Sequence, residues 1–237
     1  VAGNVAMAQS VSNVIDLPKK AAKLSNTVSS VLDSTSFEPE KAPNIIPFGC
    51  YPMIEKIVRS GKFFPVYLTG LSGNGKTFMV EQACAANKRE MIRVNITIET
   101  DESDLLGGWT LVNGETKFQY GPVIEAMQRG SVLLLDEYDL GREKIMALQP
   151  VMEGNPIYLK KVNQWIHPAP GFTVIATANT KGMGESDAFI GTGIINEAAL
   201  DRFKITLEHG YPDITTEKKI LKKSAAKFGV SVDSDII

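Results

Sequence analysis

One octapeptide constrains this chain more than any other feature. Gly70-Leu-Ser-Gly-Asn-Gly75-Lys76-Thr77 carries glycine at its first and sixth positions, followed by lysine and a hydroxyl residue. It comes straight after the apolar run Val66-Tyr-Leu-Thr69 and opens a helical pattern at Phe78. Glycines let such a loop curl until successive N–H groups point inward at phosphate oxygens, and the following helix adds the positive end of its dipole. Gly70, Ser72, Gly73, Asn74, Gly75, Lys76, Thr77 and Phe78 are therefore the expected nucleotide contacts. Lys76 would reach the β and γ phosphates, and the Thr77 hydroxyl would ligate Mg²⁺. The ligands implied are ATP and Mg²⁺.

Around this loop the hydrophobic pattern alternates between strand and helix. Strand-like runs lie at 63–69, 91–96, 131–135, 172–177 and 205–208, with helical spacing at 53–59, 78–87, 123–129 and 143–152. Such alternation predicts parallel connections and a three-layer α/β sandwich. In an open parallel sheet, ligands sit at the carboxyl ends of the strands.

Two further strand ends therefore become candidates. The apolar run Val132-Leu-Leu-Leu135 ends in Asp136 and Glu137, and Phe172-Thr-Val-Ile-Ala-Thr177-Ala ends in Asn179. Asp136 is expected to hold the magnesium, directly or through water. Glu137 can polarise a water for in-line attack on the γ phosphorus. Asn179 can hydrogen-bond both that water and the phosphate, sensing whether the phosphate is present.

These three strand ends, in this order, resemble the core of an AAA+ ATPase. Asp104-Leu-Leu-Gly-Gly108, Phe118-Gln-Tyr-Gly121-Pro122 and Ala126-Met-Gln-Arg-Gly130 are similar to the MoxR branch, in which a β-hairpin interrupts the second helix and projects into a ring pore. In this chain the hairpin would pair 109–112 with 115–118 across Asn113-Gly114, a strong turn signal in its own right. A second hairpin is expected at 156–161 and 164–167. Trp109, Phe118 and Trp165 either grip a partner or pack their own strands. Within that branch the likeness is to the CobS-type ATPase subunit of cobaltochelatase, through Asp136-Glu-Tyr-Asp139-Leu-Gly-Arg142, Ala176-Thr-Ala-Asn179-Thr, Gly182, Gly184, Gly191-Thr192, Ile195-Asn196 and Asp201-Arg202. Phe203 departs from it, standing where that family often has Trp.

The resemblance implies that Arg202 is an arginine finger, offered across a subunit edge to the neighbour's γ-phosphate. Such a residue contributes about 10³ to 10⁵ in rate, roughly 4 to 7 kcal/mol. It also implies a homo-oligomeric ring, with a hexamer expected. The ring would remodel or activate a protein partner, and von Willebrand A-type subunits are the partners the MoxR branch uses. Two alternatives stand beside this: a nucleic-acid-directed motor and a nucleotide-gated scaffold with little turnover.

Composition narrows these choices. Lys plus Arg is 25 and Asp plus Glu is 27, a net charge of −2, which argues against a surface built to hold nucleic acid. The candidate pore hairpin has only Lys117 against Glu115. No apolar run approaches the ~20 residues of a membrane helix, and the opening residues are not expected to act as a signal peptide. Cys50 and Cys84 lack a CxxC spacing and read as reduced thiols of a cytosolic protein. His167 and His209 lack ligand partners at metal spacing and read as structural.

The ends are less informative. Residues 1–41, with Lys19, Lys20 and Lys23, read as a linker or docking arm around weak helices at 4–16 and 20–33. The folded core is expected over 42–212. From Thr216 to Phe228 an amphipathic helix, with Ile220, Leu221, Ala225 and Phe228 on its apolar side and Gly229 stopping it, looks like the first helix of an incomplete lid over 213–237. The chain opens on Val1 rather than Met, and the rest of the lid is expected beyond residue 237.

Overall fold

The computed structural model describes residues 36–43, 45–179 and 200–227, without the side chains of 142–144 and 227. The expectations for 1–35, for Gly182, Gly184, Gly191, Thr192, Ile195 and Asn196, and for Phe228 and Gly229 lie outside these residues. The chain divides between Ser36 and Phe37, and the strands and helices among the described residues all belong to the unit from Phe37 onward.

The centre of that unit is a five-stranded parallel sheet. The strands are β1 (Val66–Thr69), β2 (Met91–Asn95), β5 (Val132–Asp136), β8 (Thr173–Ala178) and β9 (Ile205–Glu208), in the order β2-β5-β8-β1-β9. Every residue of β1, β5 and β8 is buried. This is why they read as unbroken apolar runs: a parallel sheet has both faces covered. Alternate residues of β5 serve opposite cores. Val132 and Leu134 pack with α1 (Tyr51–Ser60) and α2 (Lys76–Ala86). Leu133 and Leu135 pack on the other face with α4 (Pro122–Arg129) and Phe172. The result is the three-layer α/β sandwich that the alternation predicts.

Local chemistry sets the helix ends. Proline opens α4 and Gly130, at φ 68°, closes it, the usual asymmetry of helix termini. The last described helix, α6 (Ile214–Lys227), begins where Asp213 Oδ1 accepts from the Thr216 amide at 2.8 Å. Its apolar side is little covered: Leu221 and Ile214 are exposed, while Ile220 and Ala225 are half-buried. The segment before α1 is tied down as well, since the Phe37 carbonyl accepts from Met91 N and the Ala42 amide donates to Gln82.

Both hairpins form. Strands β3 (Gly107–Val112) and β4 (Glu115–Tyr120) pair antiparallel with Asn113 and Gly114 at positive φ, the backbone a tight hairpin turn demands. Trp109 stacks edge-on against Phe118. Strands β6 (Ile157–Leu159) and β7 (Gln164–Ile166) form the second, and Tyr120 of the first donates to Gln164 of the second at 2.7 Å.

Two stretches differ from expectation. The helix expected over 143–152 is a 3₁₀ segment, Arg142–Leu148, followed by one α-turn, α5 (Gln149–Met152). Pro150 would lack a donor and clash with the preceding turn in a helix interior, and it is instead accommodated in the first turn of α5. A short helix that the hydrophobic pattern does not announce, α3 (Glu102–Leu106), precedes β3. Asp101 and Asp104 close a reciprocal capping box around its first turn.

This layering predicts contrasting costs. Leu134→Ala, in the middle of the sheet, should destabilise by about 2–5 kcal/mol, whereas Leu111→Ala on the exposed hairpin should change stability by less than about 0.5 kcal/mol. Chemical denaturation of the two variants measures both.

Candidate nucleotide-binding site

The phosphate loop leaves β1 and enters α2 with Gly75 in the left-handed region, at φ 86°, as the residue that caps the helix start. Gly70 is required by space: a Cβ there would lie 2.1 Å from the His209 carbonyl oxygen. Gly73 and Gly75 take positive φ with nothing within 4 Å of a notional Cβ, so conformation rather than space selects glycine there. First-turn N–H groups of α2 and a glycine curl are what an anion needs.

Lys76 is buried and turned inward. Its ammonium donates to the Gly70 and Leu71 carbonyls, each at 2.8 Å, to Asn74 Oδ1 at 3.3 Å and to Asn179 Oδ1 at 3.2 Å. Burial lowers its pKa, opposed by the charges of Asp136, Asp139 and Glu137. A desolvated ammonium held on neutral oxygens fits an incoming phosphate, which is a stronger acceptor.

Asp136 lies at the end of β5 with only 8% of its side chain accessible. The Thr77 hydroxyl donates to its Oδ1 at 3.0 Å, and the Thr177 hydroxyl donates to the same oxygen. Arg93 reaches the other oxygen, Oδ2, at 2.5 Å. A hydroxyl and a fixed carboxylate side by side are a hard-oxygen donor pair that suits Mg²⁺. The next residue, Glu137, is half-buried and sits at φ 57°, uncommon for a side chain of its kind. Its amide donates to Thr177 Oγ1 at 3.3 Å.

Asn179 ends the array. Its amide is held by buried Asp139 Oδ2 at 3.1 Å while its side-chain oxygen faces Lys76. Five of the expected residues, Lys76, Thr77, Asp136, Glu137 and Asn179, therefore share the carboxyl ends of β1, β5 and β8. Arg202 is not among them. Its Nε donates to Glu153 Oε1 at 3.0 Å. Ser72 accepts the Tyr211 hydroxyl on its carbonyl at 2.7 Å, and Phe78 is half exposed beside a cavity.

That cavity, about 540 Å³, adjoins the loop and is lined in part by Ile45, Phe48, Tyr51, Phe78, Tyr211 and Ile220. Its largely apolar wall suits a flat aromatic base. The sequence alone does not reveal it, because its residues come from three separate segments. Arg93 also goes unmarked in the motifs, and Thr177 stands in one without a role. Arg93 had one signal, a lone charge inside the strand pattern Met91-Ile-Arg-Val-Asn. His209 does belong to the structure of the fold, but at the loop: its amide donates to Thr69, its carbonyl accepts from Asn74 Nδ2 at 2.6 Å, and its ring meets Phe48. His167, by contrast, is exposed. Among the described residues no cluster of His, Cys, Asp and Glu could bind a metal by itself, and no helix is long and apolar enough to cross a membrane. Cys50 and Cys84 are free thiols, and burial pushes Cys84 to about 12.

Burial, helped by the Lys76 charge and opposed by the Asn74 backbone, holds His209 below the ordinary imidazole value of 6.5. Below pH 6.5 the unfolded chain takes up a proton the folded one resists, so stability should fall as pH drops through that range. His209→Asn should flatten this slope in urea unfolding series between pH 7.5 and about 5.

Comparison with known proteins bears on the family. Residues 65–190, more than half of the chain, match the family described as AAA domain (dynein-related subfamily). The chain is 34% identical over 153 residues to the aerobic cobaltochelatase subunit CobS of a Sinorhizobium species, covering 62% of this chain and 46% of that protein. It is 31% identical over 170 residues to an uncharacterized protein of Staphylococcus haemolyticus, covering 68% and 60% respectively. It thus spans about half to three-fifths of those relatives. A solved structure from Cytophaga hutchinsonii, assigned but not demonstrated as an ATPase, aligns with a TM-score of 0.58 at 22% identity, over 87% of this chain and 58% of that one. The chain belongs to the AAA domain family, in its dynein-related subfamily.

Proposed function

We propose that this chain binds Mg-ATP and hydrolyses it to ADP and phosphate as one protomer of a ring, and that the ring remodels or activates a protein partner. The observation that carries the reading is the meeting of Lys76, Thr77, Asp136, Glu137 and Asn179 at three neighbouring strand ends beside an apolar cavity. We take 42–212 as the nucleotide-binding core, 213–237 as the start of a lid and 1–41 as a linker or docking arm, and we place the protein in the cytoplasm.

Each residue then has a task. The amides of the loop and Lys76 hold the phosphate oxygens, and Thr77 with Asp136 holds Mg²⁺. The metal, when bound, neutralises charge on the β and γ phosphates. Glu137 accepts the proton of a water as its oxygen bonds to the γ phosphorus and the bond to the ADP oxygen breaks. Its left-handed backbone and the bond from its amide to Thr177 hold its main chain at the end of β5. Asn179, anchored through Asp139, accepts from the water on Oδ1 and donates from Nδ2 to the phosphate. The cavity takes the base.

Arg202 completes the site from the adjacent protomer, which makes assembly a condition of turnover. A hexamer is the expected ring. In the isolated chain its guanidinium pairs with Glu153 at 3.0 Å. A protein partner is favoured by the first hairpin, where Trp109 and Leu111 are exposed and Lys117 is tied to Glu115 at 3.0 Å. Such a surface offers apolar contact and little for a phosphate backbone. The CobS relative is a subunit of a larger enzyme. By analogy the partner is another subunit, a von Willebrand A-type protein being the first to test.

Glu137→Gln should cut phosphate release by about 10² to 10⁴ while leaving nucleotide affinity within about threefold. Arg202→Ala should cut it by about 10³ or more. Mixing the two variants should restore turnover, because some interfaces then combine an intact Glu137 with an intact Arg202. Equal turnover in wild type and Glu137→Gln would contradict hydrolysis at this site, and failure of the mixture to recover would contradict a finger acting in trans. DNA-stimulated, salt-sensitive turnover would contradict a protein target.

A further inference from the structure

Arg93 takes no part in that chemistry, yet its guanidinium pairs with the same carboxylate that faces the metal. It lies on the edge strand β2 opposite Leu134, two positions before Asp136 on the neighbouring strand. A long side chain spans that diagonal. One guanidinium nitrogen meets Asp136 Oδ2 at 2.5 Å and the other meets Glu81 Oε1 of α2 at 3.4 Å.

The two oxygens of Asp136 are thus divided. Oδ1 takes the Thr77 and Thr177 hydroxyls, which already fix the plane of the carboxylate. Oδ2 takes Arg93, whose contribution is mainly charge. Lys76 adds a second cation nearby, and Asp136 acts on it electrostatically. A divalent ion arriving alone would have to displace Arg93 from Asp136 Oδ2 with the Lys76 ammonium close by, and Glu137 and Asp139 offset that lysine only in part. A triphosphate reverses that balance, since its oxygens engage Lys76 and bring negative charge to the metal. Asp136 is nearly inaccessible while the Arg93 side chain is 48% exposed. The guanidinium can therefore move off Asp136 and onto Glu81 once another cation takes its place on the buried carboxylate.

We infer that Arg93 is the resident counter-cation of Asp136 and keeps a divalent metal from occupying this carboxylate until a triphosphate brings one in. The inference rests on the reading of Asp136 as the metal-facing acid. It makes metal entry depend on nucleotide, and it makes Arg93 a specificity-determining residue rather than a catalytic one.

The test is a titration of the nucleotide-free chain with Mn²⁺, reading free Mn²⁺ by electron paramagnetic resonance. Arg93→Gln and Arg93→Met should each bind Mn²⁺ about tenfold or more tightly than wild type. Arg93→Lys, which keeps the charge, should stay within about threefold. The gain should vanish when Arg93→Gln is combined with Asp136→Asn. Neutral variants that bind Mn²⁺ no better than wild type overturn the inference. A gain that survives Asp136→Asn overturns the prior reading instead, because the metal would then sit elsewhere. Loss of Mn²⁺ from the ATP-loaded chain in Asp136→Asn alone keeps that reading intact whatever Arg93 does.

Discussion

The register between β5, β8 and β1 is the constraint on which the site depends. Leu135 pairs with Ala176, and Thr69 pairs with Ala178, so the three strands finish almost level. This level edge sets Thr177 against Asp136 and Asn179 against Lys76. A slip of one residue in β5 would turn Asp136 to the opposite face and carry Leu135 with it. The slip is opposed by burial, because Val132 to Leu135 are fully buried in two different cores. Apolar packing in the middle of the sheet therefore holds polar geometry at its end.

Around that edge the loop, the end of β9 and the segment before α1 are bound into one unit by His209 and Asn74. The Asn74 amide bonds the His209 carbonyl while its oxygen faces Lys76. Tyr211, two residues further on, reaches back to Ser72. A change at the phosphate loop is thereby one or two hydrogen bonds from the start of α6. The exposed apolar residues of α6 leave that helix weakly held among the described residues, which suits an element that answers to a ligand.

Much of this was legible in the sequence because the signals are local and chemically forced. Asn113-Gly114 fixes a hairpin through its backbone alone, and the octapeptide at 70–77 fixes a strand, a turn and a helix start together. Unbroken apolar runs marked the buried strands, and their terminal Asp136, Glu137 and Asn179 were readable once the strands were. What escaped depends on distant chain segments. Arg93 matters only because β2 lies beside β5, and the cavity exists only because residues near 45, 78 and 220 meet. Pro150 was a local signal, and its effect on the stretch 143–152 follows from its missing donor. The capping box at Asp101 and Asp104 was also local, hidden by the shortness of the helix it starts. Arg202 was legible only as a resemblance, since its proposed role belongs to an assembly rather than to one chain.

The claim beneath all of this is that the glycine curl and its lysine hold a triphosphate. Equilibrium titration of a fluorescent ATP analogue against wild type and Lys76→Ala addresses it directly. The account predicts a loss of affinity of about a hundredfold or more in Lys76→Ala, since a buried, charge-assisted phosphate contact is removed. Unchanged affinity in the variant would contradict it.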